Sequence, residues 1–170
     1  MVVTSKRPDT LVDPGRDPFD ARAARVAALD TLARRDHPAE ALRRKLLEKG
    51  YDPAVVADVL ADLCAEKLVD DRRYVENFIG FRAARGQGPL RVGADLRQMG
   101  LSDELVKNGI EAFAEWMAHL RSARQKKFGA TLPTDYADRQ RQARFLGYRG
   151  FTGAQIRLVL GFDTDLDIDT

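Results

Sequence analysis

The amino-acid sequence predicts an all-α fold, an elongated array of three tandem three-helix repeats. Apolar residues recur at helical spacing along the chain, and the alternating pattern of a half-buried strand is absent from it. One phrase also occurs three times, about fifty residues apart: LLEKGYDPAVVADVL at 46–60, LRQMGLSDELVKNGI at 96–110 and LGYRGFTGAQIRLVL at 146–160. A fixed period of this kind indicates repeated structural units.

Each copy of the phrase is predicted to end one helix and begin the next. A glycine follows an amphipathic run, where a left-handed residue can close a helix without a Cβ penalty. Two positions later stands a side chain that can cap the N-terminus of a new helix. The structural repeat glycines are Gly50, Gly100 and Gly150, and the caps are Asp52, Ser102 and Thr152. Thr152 with Gln155 forms a capping box.

An apolar residue lies between each glycine and its cap, and another lies five positions further on. This spacing is that of a hydrophobic staple, in which the two side chains pack together across the helix start. The pairs are Tyr51 with Val56, Leu101 with Val106 and Phe151 with Ile156, and each follows an apolar anchor at Leu46, Leu96 or Leu146.

The repeats divide the chain into five segments. We predict a disordered leader at 1–20, three-helix repeats at 21–70, 71–115 and 116–160, and an acidic tail at 161–170. The leader contains three prolines and four aspartates and little that could pack. In the third repeat the stretch GATLPTDYA interrupts the helices. One repeat is too small to bury its apolar faces well, so we expect neighbouring repeats to stack into a long, curved array.

The charge of the chain is unevenly distributed. The formal net charge is +2, and residues 21–70 and 71–120 each hold equal numbers of acidic and basic residues. Residues 121–157 hold nine Lys/Arg against two aspartates, which leaves +7, and the tail carries four aspartates. Such a basic block is typical of a solvated helical face, and it is also compatible with an anionic partner.

The composition indicates a cytoplasmic protein. Cys64 is the only cysteine, so neither an internal disulfide nor a cysteine-based zinc site can form. The N-terminus has no apolar segment of the kind that a secretory signal contains. No apolar run approaches the length of a membrane span.

The residues that chemistry would need do not form a catalytic constellation. His37 precedes Pro38 at a predicted helix start, His119 lies in a basic helix, and neither has a second ligand at metal-binding spacing. We interpret Cys64 as a small core residue. The segment RGQGP at 85–89 lacks the Lys-Ser/Thr ending of a phosphate loop, so we interpret it as a hinge between two helices, flanked by Arg85 and Arg91.

Taken together, these residues resemble the RecX family of bacterial regulators. The resemblance rests on ALRRKLLEKGY in the first repeat, on the stretch from Leu68 to Leu101, and on RQARFLGYRGF in the third repeat. The second of these is the most specific, with its LxDDxRY opening, its aromatic helix and its RGxGP hinge. Departures from the family pattern include Ala41, where a glutamate is common, and Met99, where a basic residue is common.

The resemblance implies a regulator of RecA recombinase with no catalytic residues, no metal and no cofactor. Such a protein binds the RecA nucleoprotein filament and suppresses ATP hydrolysis, strand exchange and coprotease activity, which links it to DNA repair, DNA recombination and the SOS response. We expect a monomer without membrane association, and weak DNA binding could accompany filament binding. The alternative is a helix-turn-helix-like nucleic-acid-binding protein, because each glycine turn also resembles the connection in that motif.

Arginines of the second and third repeats are the candidate contacts to the partner, since their guanidinium groups match both carboxylates and phosphates. The candidates are Arg82, Arg85, Arg91, Arg97, Arg139, Arg141, Arg144 and Arg149. We expect filament carboxylates to contribute more than DNA phosphates, because the repeats outside the basic block are neutral. The neighbouring aromatic residues Tyr74, Phe78 and Phe81 are expected in the core.

Overall fold

The computed structural model describes residues 17–161, and all regular secondary structure in that range is helical. The leader predicted at 1–20 therefore lies outside the described residues except for its last four positions, and the acidic tail lies outside them except for Gly161. The all-α class and the tandem three-helix organisation are confirmed. The helices are α1 (Ala21–Arg34), α2 (Ala39–Glu48), α3 (Pro53–Ala65), α4 (Asp71–Ala84), α5 (Pro89–Gln98), α6 (Asp103–Ala112), α7 (Trp116–Phe128), α8 (Tyr136–Tyr148) and α9 (Gly153–Leu160).

The three predicted caps begin α3, α6 and α9. The Asp52 carboxylate accepts a hydrogen bond from the Ala54 amide at 2.8 Å, and the Ser102 hydroxyl accepts one from the Leu105 amide at 3.3 Å. Thr152 and Gln155 form both hydrogen bonds of the capping box. These side chains satisfy backbone donors that would otherwise have no partner at a helix start.

The helices that precede these caps end in the same backbone motif three times. Gly50, Gly100 and Gly150 have φ values of 89°, 93° and 86°, which L side chains rarely adopt. In each case the glycine amide donates to the carbonyl three residues earlier, at 2.8 to 2.9 Å. The following amide donates to the carbonyl five residues earlier, at 3.2 to 3.4 Å. This pair of bonds is the Schellman motif, and it explains why the glycines recur at a fixed period.

The staple residues and their anchors are the centres of the apolar cores. The three staple pairs and the three anchor leucines are all buried. Each apolar residue after the glycine lies between the end of one helix and the first turn of the next, so a single side chain fixes the angle between two helices.

The chain divides into two compact units, one ending at Asp71 and the other beginning at Arg72. In the first unit, α1, α2 and α3 enclose one core that contains the staple pair Tyr51 and Val56. In the second unit, α4 to α9 share one core, and it contains both remaining staple pairs. The second and third groups of three helices are therefore fused into one packing unit.

Backbone hydrogen bonds join the RGQGP segment to the turn between α8 and α9. The Gly88 amide donates to the Arg149 carbonyl at 2.7 Å, and the Leu90 amide donates to the Gly150 carbonyl at 2.9 Å. The two chain segments approach so closely that a Cβ atom on Gly88 would overlap the backbone of Gly150 and Phe151. Both glycines are needed here because each leaves room for the other segment.

Two sequence-based interpretations of individual side chains need correction. Phe81 was expected in the core but is 55% exposed, whereas the buried face of α4 consists of Val75, Ile79 and Ala83. Cys64 was interpreted as a core residue and is exposed. In α1, the apolar position Val26 is 52% exposed, and the buried residues of the helix are alanines.

Candidate partner-binding surface

The eight predicted arginines all belong to the second unit, but they differ in what they contact. Arg82 forms a partly buried ion pair with Asp95, and its guanidinium lies 5.1 Å from the centre of the Phe78 ring. Arg97 pairs with Asp103 at 2.6 Å. Both arginines therefore link neighbouring helices, so their role is structural.

Arg139 also has a structural role, in the interrupted part of the third repeat. Its Nε donates to the Pro133 carbonyl and its terminal nitrogen donates to the Thr134 carbonyl, both at 3.4 Å. These bonds hold the segment that leads into α8. Arg91 is exposed at the first turn of α5, with its backbone against Gly150.

Arg141 and Arg144 lie on the exposed side of α8. Arg141 donates to the Asp138 carboxylate at 2.6 Å, and its guanidinium lies 5.5 Å from the centre of the Phe128 ring. Arg144 is exposed and forms no ion pair or hydrogen bond within residues 17–161. Residues three apart share a helix face, so the two guanidinium groups lie on one exposed side of α8, where Asp138 offsets part of their charge.

The two remaining arginines, Arg85 and Arg149, belong to a cleft where α4, α7 and α8 come together. The cleft has a volume of about 280 Å³. Its charged and titratable lining consists of Arg85, Arg149, Lys126, Lys127 and His119, and we call it the basic cleft. Arg91, on the other side of the RGQGP segment, does not line this cleft.

Aromatic rings and a carbonyl group position the two guanidinium groups of the basic cleft. The guanidinium of Arg149 lies 5.0 Å from the centre of the Phe145 ring and donates to the Arg85 carbonyl at 2.9 Å. The guanidinium of Arg85 lies 4.1 Å from the centre of the exposed Phe81 ring. Such contacts reduce the rotamer freedom that a long side chain would lose on binding a ligand.

The sequence-based reasoning missed Lys126 and Lys127 as candidate contacts and Arg124 as a core residue. The lysines were counted within the basic block, but nothing local predicted that they would lie opposite Arg85 and Arg149. Arg124 is buried, donates to the Gln142 side chain at 2.9 Å, and also bonds the Thr131 carbonyl. A buried cation needs such bonds, and here they tie α7 to α8 and to the intervening loop.

Chemically reactive groups are sparse in the described part of the chain. Residues 17–161 contain no cluster of three His, Cys, Asp or Glu side chains that could hold a metal ion. Partial burial raises the pKa of the Cys64 thiol, and the negative charges of Asp71 and Asp70 act in the same direction. A thiol that stays protonated at neutral pH is a poor nucleophile. Among the helices of this range, none combines the length and the apolarity that a membrane span requires.

Comparison with protein families gives three matches in the order of the repeats. Residues 24–63 match the first three-helix domain of RecX, residues 70–109 the second and residues 114–160 the third. The chain is 44% identical over 138 residues to regulatory protein RecX of Halorhodospira halophila, covering 81% of this chain and 86% of that protein. It is 39% identical over 145 residues to regulatory protein RecX of Pseudomonas fluorescens strain SBW25, covering 84% of this chain and 94% of that protein.

Solved structures share the fold. A crystal structure of RecX from Lactobacillus salivarius superposes with a TM-score of 0.73 at 15% identity, covering 84% of this chain and 95% of that one. A second crystal structure of regulatory protein RecX superposes with a TM-score of 0.67 at 17% identity, covering 83% of this chain and 71% of that one.

Proposed function

The chain belongs to the RecX family of regulatory proteins, and on that premise we propose that it binds RecA recombinase filaments and inhibits RecA ATPase, strand exchange and coprotease activity. It would act in the cytoplasm, as a monomer and without catalysis of its own, and would modulate DNA recombination, DNA repair and the SOS response. The observation that carries the proposal is the match of all three domains in order, with relatives that are named regulatory proteins.

Tandem helical domains suit a polymeric partner for a physical reason. A protein with several modules can contact more than one protomer of a filament, and each contact after the first is intramolecular. Weak individual contacts then add up only where the polymer has assembled. We therefore expect the protein to distinguish assembled filaments from free RecA.

The alternative proposal, a helix-turn-helix-like DNA reader, is less well supported by the exposed surfaces. In that motif the helix after the turn enters the major groove, and a strongly acidic surface would be repelled there. Two of the three corresponding helices expose carboxylates instead. These are Asp58 and Asp62 on α3, and Asp103, Glu104 and Glu111 on α6.

Sedimentation with RecA filaments tests the proposed binding. RecA is assembled on single-stranded DNA with a slowly hydrolysed ATP analogue, and this protein is added at a range of concentrations. We expect it to sediment with filaments and to remain in the supernatant with RecA that lacks DNA and nucleotide. Absence from the filament pellet at excess protein would contradict the proposal.

Replacing Arg141 and Arg144 with alanine should weaken filament binding by about tenfold, which corresponds to about 1.4 kcal/mol. The reason is the loss of two exposed cations that can pair with filament carboxylates. The matched control is Arg22→Ala with Arg34→Ala, which removes the same charge from exposed positions of the first unit. Equal losses of filament affinity in the two double variants would show that only net charge matters. If neither variant lost affinity, Arg141 and Arg144 would be solvated surface residues without a binding role.

A further inference from the structure

The four lysine and arginine side chains of the basic cleft have no acidic partners, in contrast to several other arginines of the second unit. Arg82, Arg97 and Arg141 each form an ion pair with an aspartate. Arg85, Lys126, Lys127 and Arg149 form none within residues 17–161, and the cleft lining contains no carboxylate. His119 is the one lining residue beside an acid, with Glu115 at 3.6 Å. Four permanent cations therefore converge without neutralisation.

Helix geometry accounts for only part of this arrangement. Cations near helix C-termini interact favourably with the helix dipole, and α4, α7 and α8 all end near the cleft. Arg149 does bond a carbonyl at the end of α4. Lys126 and Lys127, however, bond no carbonyl among the described residues. Concentrating four positive charges in one concave surface costs repulsion in the free protein, and a bound anion would relieve it.

The guanidinium groups keep donors that a ligand can use. Arginine carries five N–H donors, and the single bond that Arg149 makes to the Arg85 carbonyl leaves the others of that side chain available. Charge-assisted bonds from such donors to phosphate oxygens are stronger than bonds between neutral groups. The Ser122 hydroxyl lines the same cleft and can donate to an oxygen as well.

An exposed aromatic side chain beside the cleft favours a nucleic acid over an acidic peptide. The Phe81 ring is 55% exposed and in contact with the guanidinium of Arg85, which lines the cleft. A basic groove combined with accessible aromatic rings is the arrangement that single strands use, because unpaired bases stack on the rings while phosphates meet the cations. The bases of a duplex are already stacked and cannot do so.

We propose that the basic cleft binds the phosphodiester backbone of a single-stranded nucleic acid, with Phe81 as a stacking surface for a base. The resemblance allows weak DNA binding without naming a site or a type of strand. The proposal assigns both, and it goes beyond the proposed function because the cleft would bind the strand without RecA. Binding to a bare strand should be weaker than binding to a filament, since four cations can make only a few phosphate contacts. Its affinity should also fall with salt, because the phosphates release counterions on binding.

Fluorescence anisotropy with a labelled oligothymidylate tests the site directly. In Lys126→Ala with Lys127→Ala, we expect a loss of affinity of at least tenfold at low salt. The slope of log affinity against log salt should fall in magnitude by about 1.4, or 0.7 for each lost phosphate contact. Both lysines are exposed, so the thermal unfolding midpoint should stay within a degree or two of the parent, as expected for surface substitutions.

The matched control is Arg121→Ala with Arg157→Ala, which removes two exposed cations of the same unit outside the cleft. We expect the affinity of this control for the oligonucleotide to fall by less than about threefold, because only long-range attraction is lost. Phe81→Ala should weaken binding by about fivefold or more at unchanged salt slope, which separates stacking from charge. Equal losses in the lysine and control variants would overturn the proposal.

Competition and truncation provide the remaining outcomes. An unlabelled oligonucleotide should displace the labelled strand, whereas polyglutamate of equal charge should not. Displacement by both to the same extent would mean that the cleft accepts any polyanion, including an acidic peptide, and would overturn the assignment.

Removing residues 162–170 should raise the affinity for the oligonucleotide by no more than a few-fold, because the aspartates of this segment repel phosphates. Binding that appears only after this truncation would mean that the acidic segment fills the cleft of the intact chain, and would overturn it too.

Discussion

Replacing Gly150 with alanine should destabilise the protein by about 3 kcal/mol. About 1 kcal/mol of this comes from the φ value of 86°, which L residues adopt at a cost. The remainder comes from overlap, because an added Cβ would lie 2.5 Å from the Cβ of Arg91 and 2.6 Å from its backbone nitrogen. Relieving it requires movement of α5 against the turn between α8 and α9, and overpacking of this kind typically costs about 1 to 3 kcal/mol. Urea denaturation measures the loss.

Two other glycines separate the contributions to this effect. Gly147→Ala lies one turn earlier in α8, has no atom within 4 Å of the new Cβ, and should stabilise by about 0.5 to 1 kcal/mol through helix propensity. Gly161→Ala has a φ of 70° and open space around it, so it should show the backbone cost alone, about 1 kcal/mol or less. If Gly150→Ala cost no more than Gly161→Ala, the close approach of the RGQGP segment to this turn would be wrong.

Replacing Phe151 with alanine should destabilise the protein by about 3 to 5 kcal/mol. The ring is buried in the core that α4 to α9 share, together with the anchor Leu146 and the staple partner Ile156. Its removal deletes a large apolar surface and leaves a cavity that the surrounding helices can fill only in part. We expect the loss to appear as a lower urea midpoint, measured by circular dichroism.

The control for Phe151→Ala is Leu158→Ala. Leu158 is on α9 and 76% exposed, so its truncation should change stability by less than about 0.5 kcal/mol. The two variants compare a buried staple residue with an exposed apolar residue of the helix that follows it. Similar losses at both positions would contradict the staple assignment and imply that α9 packs through a different face.

The helix ends could be predicted from the sequence because their causes are local. A Schellman glycine, a cap and a staple involve residues within about ten positions of one another, and all three copies use the same spacing. The choice of buried face is less local. In α1 the alanines at 24 and 28 allow close approach to α2 and α3, and Val26 and Leu29 are left outward although they are more apolar.

The candidate site depends on contacts between distant parts of the chain, and these were not predictable. The pairing of Arg82 with Asp95 removes an arginine that the sequence presented as available. The basic cleft brings together side chains from residues 85, 126 and 149, whose neighbours in sequence give no sign of this proximity. The exposure of Phe81 was not predictable either, because its ring packs against Arg85 at the surface and not against the core.

RecA's own ATP hydrolysis on single-stranded DNA tests the central claim most directly. The steady-state rate is measured with rising concentrations of this protein, together with a sample that contains the protein and DNA but no RecA. We predict that RecA turnover falls progressively as the protein is added, and that the sample without RecA hydrolyses no ATP. RecA turnover that stays undiminished at excess protein, with the protein also absent from sedimented filaments, would contradict the account.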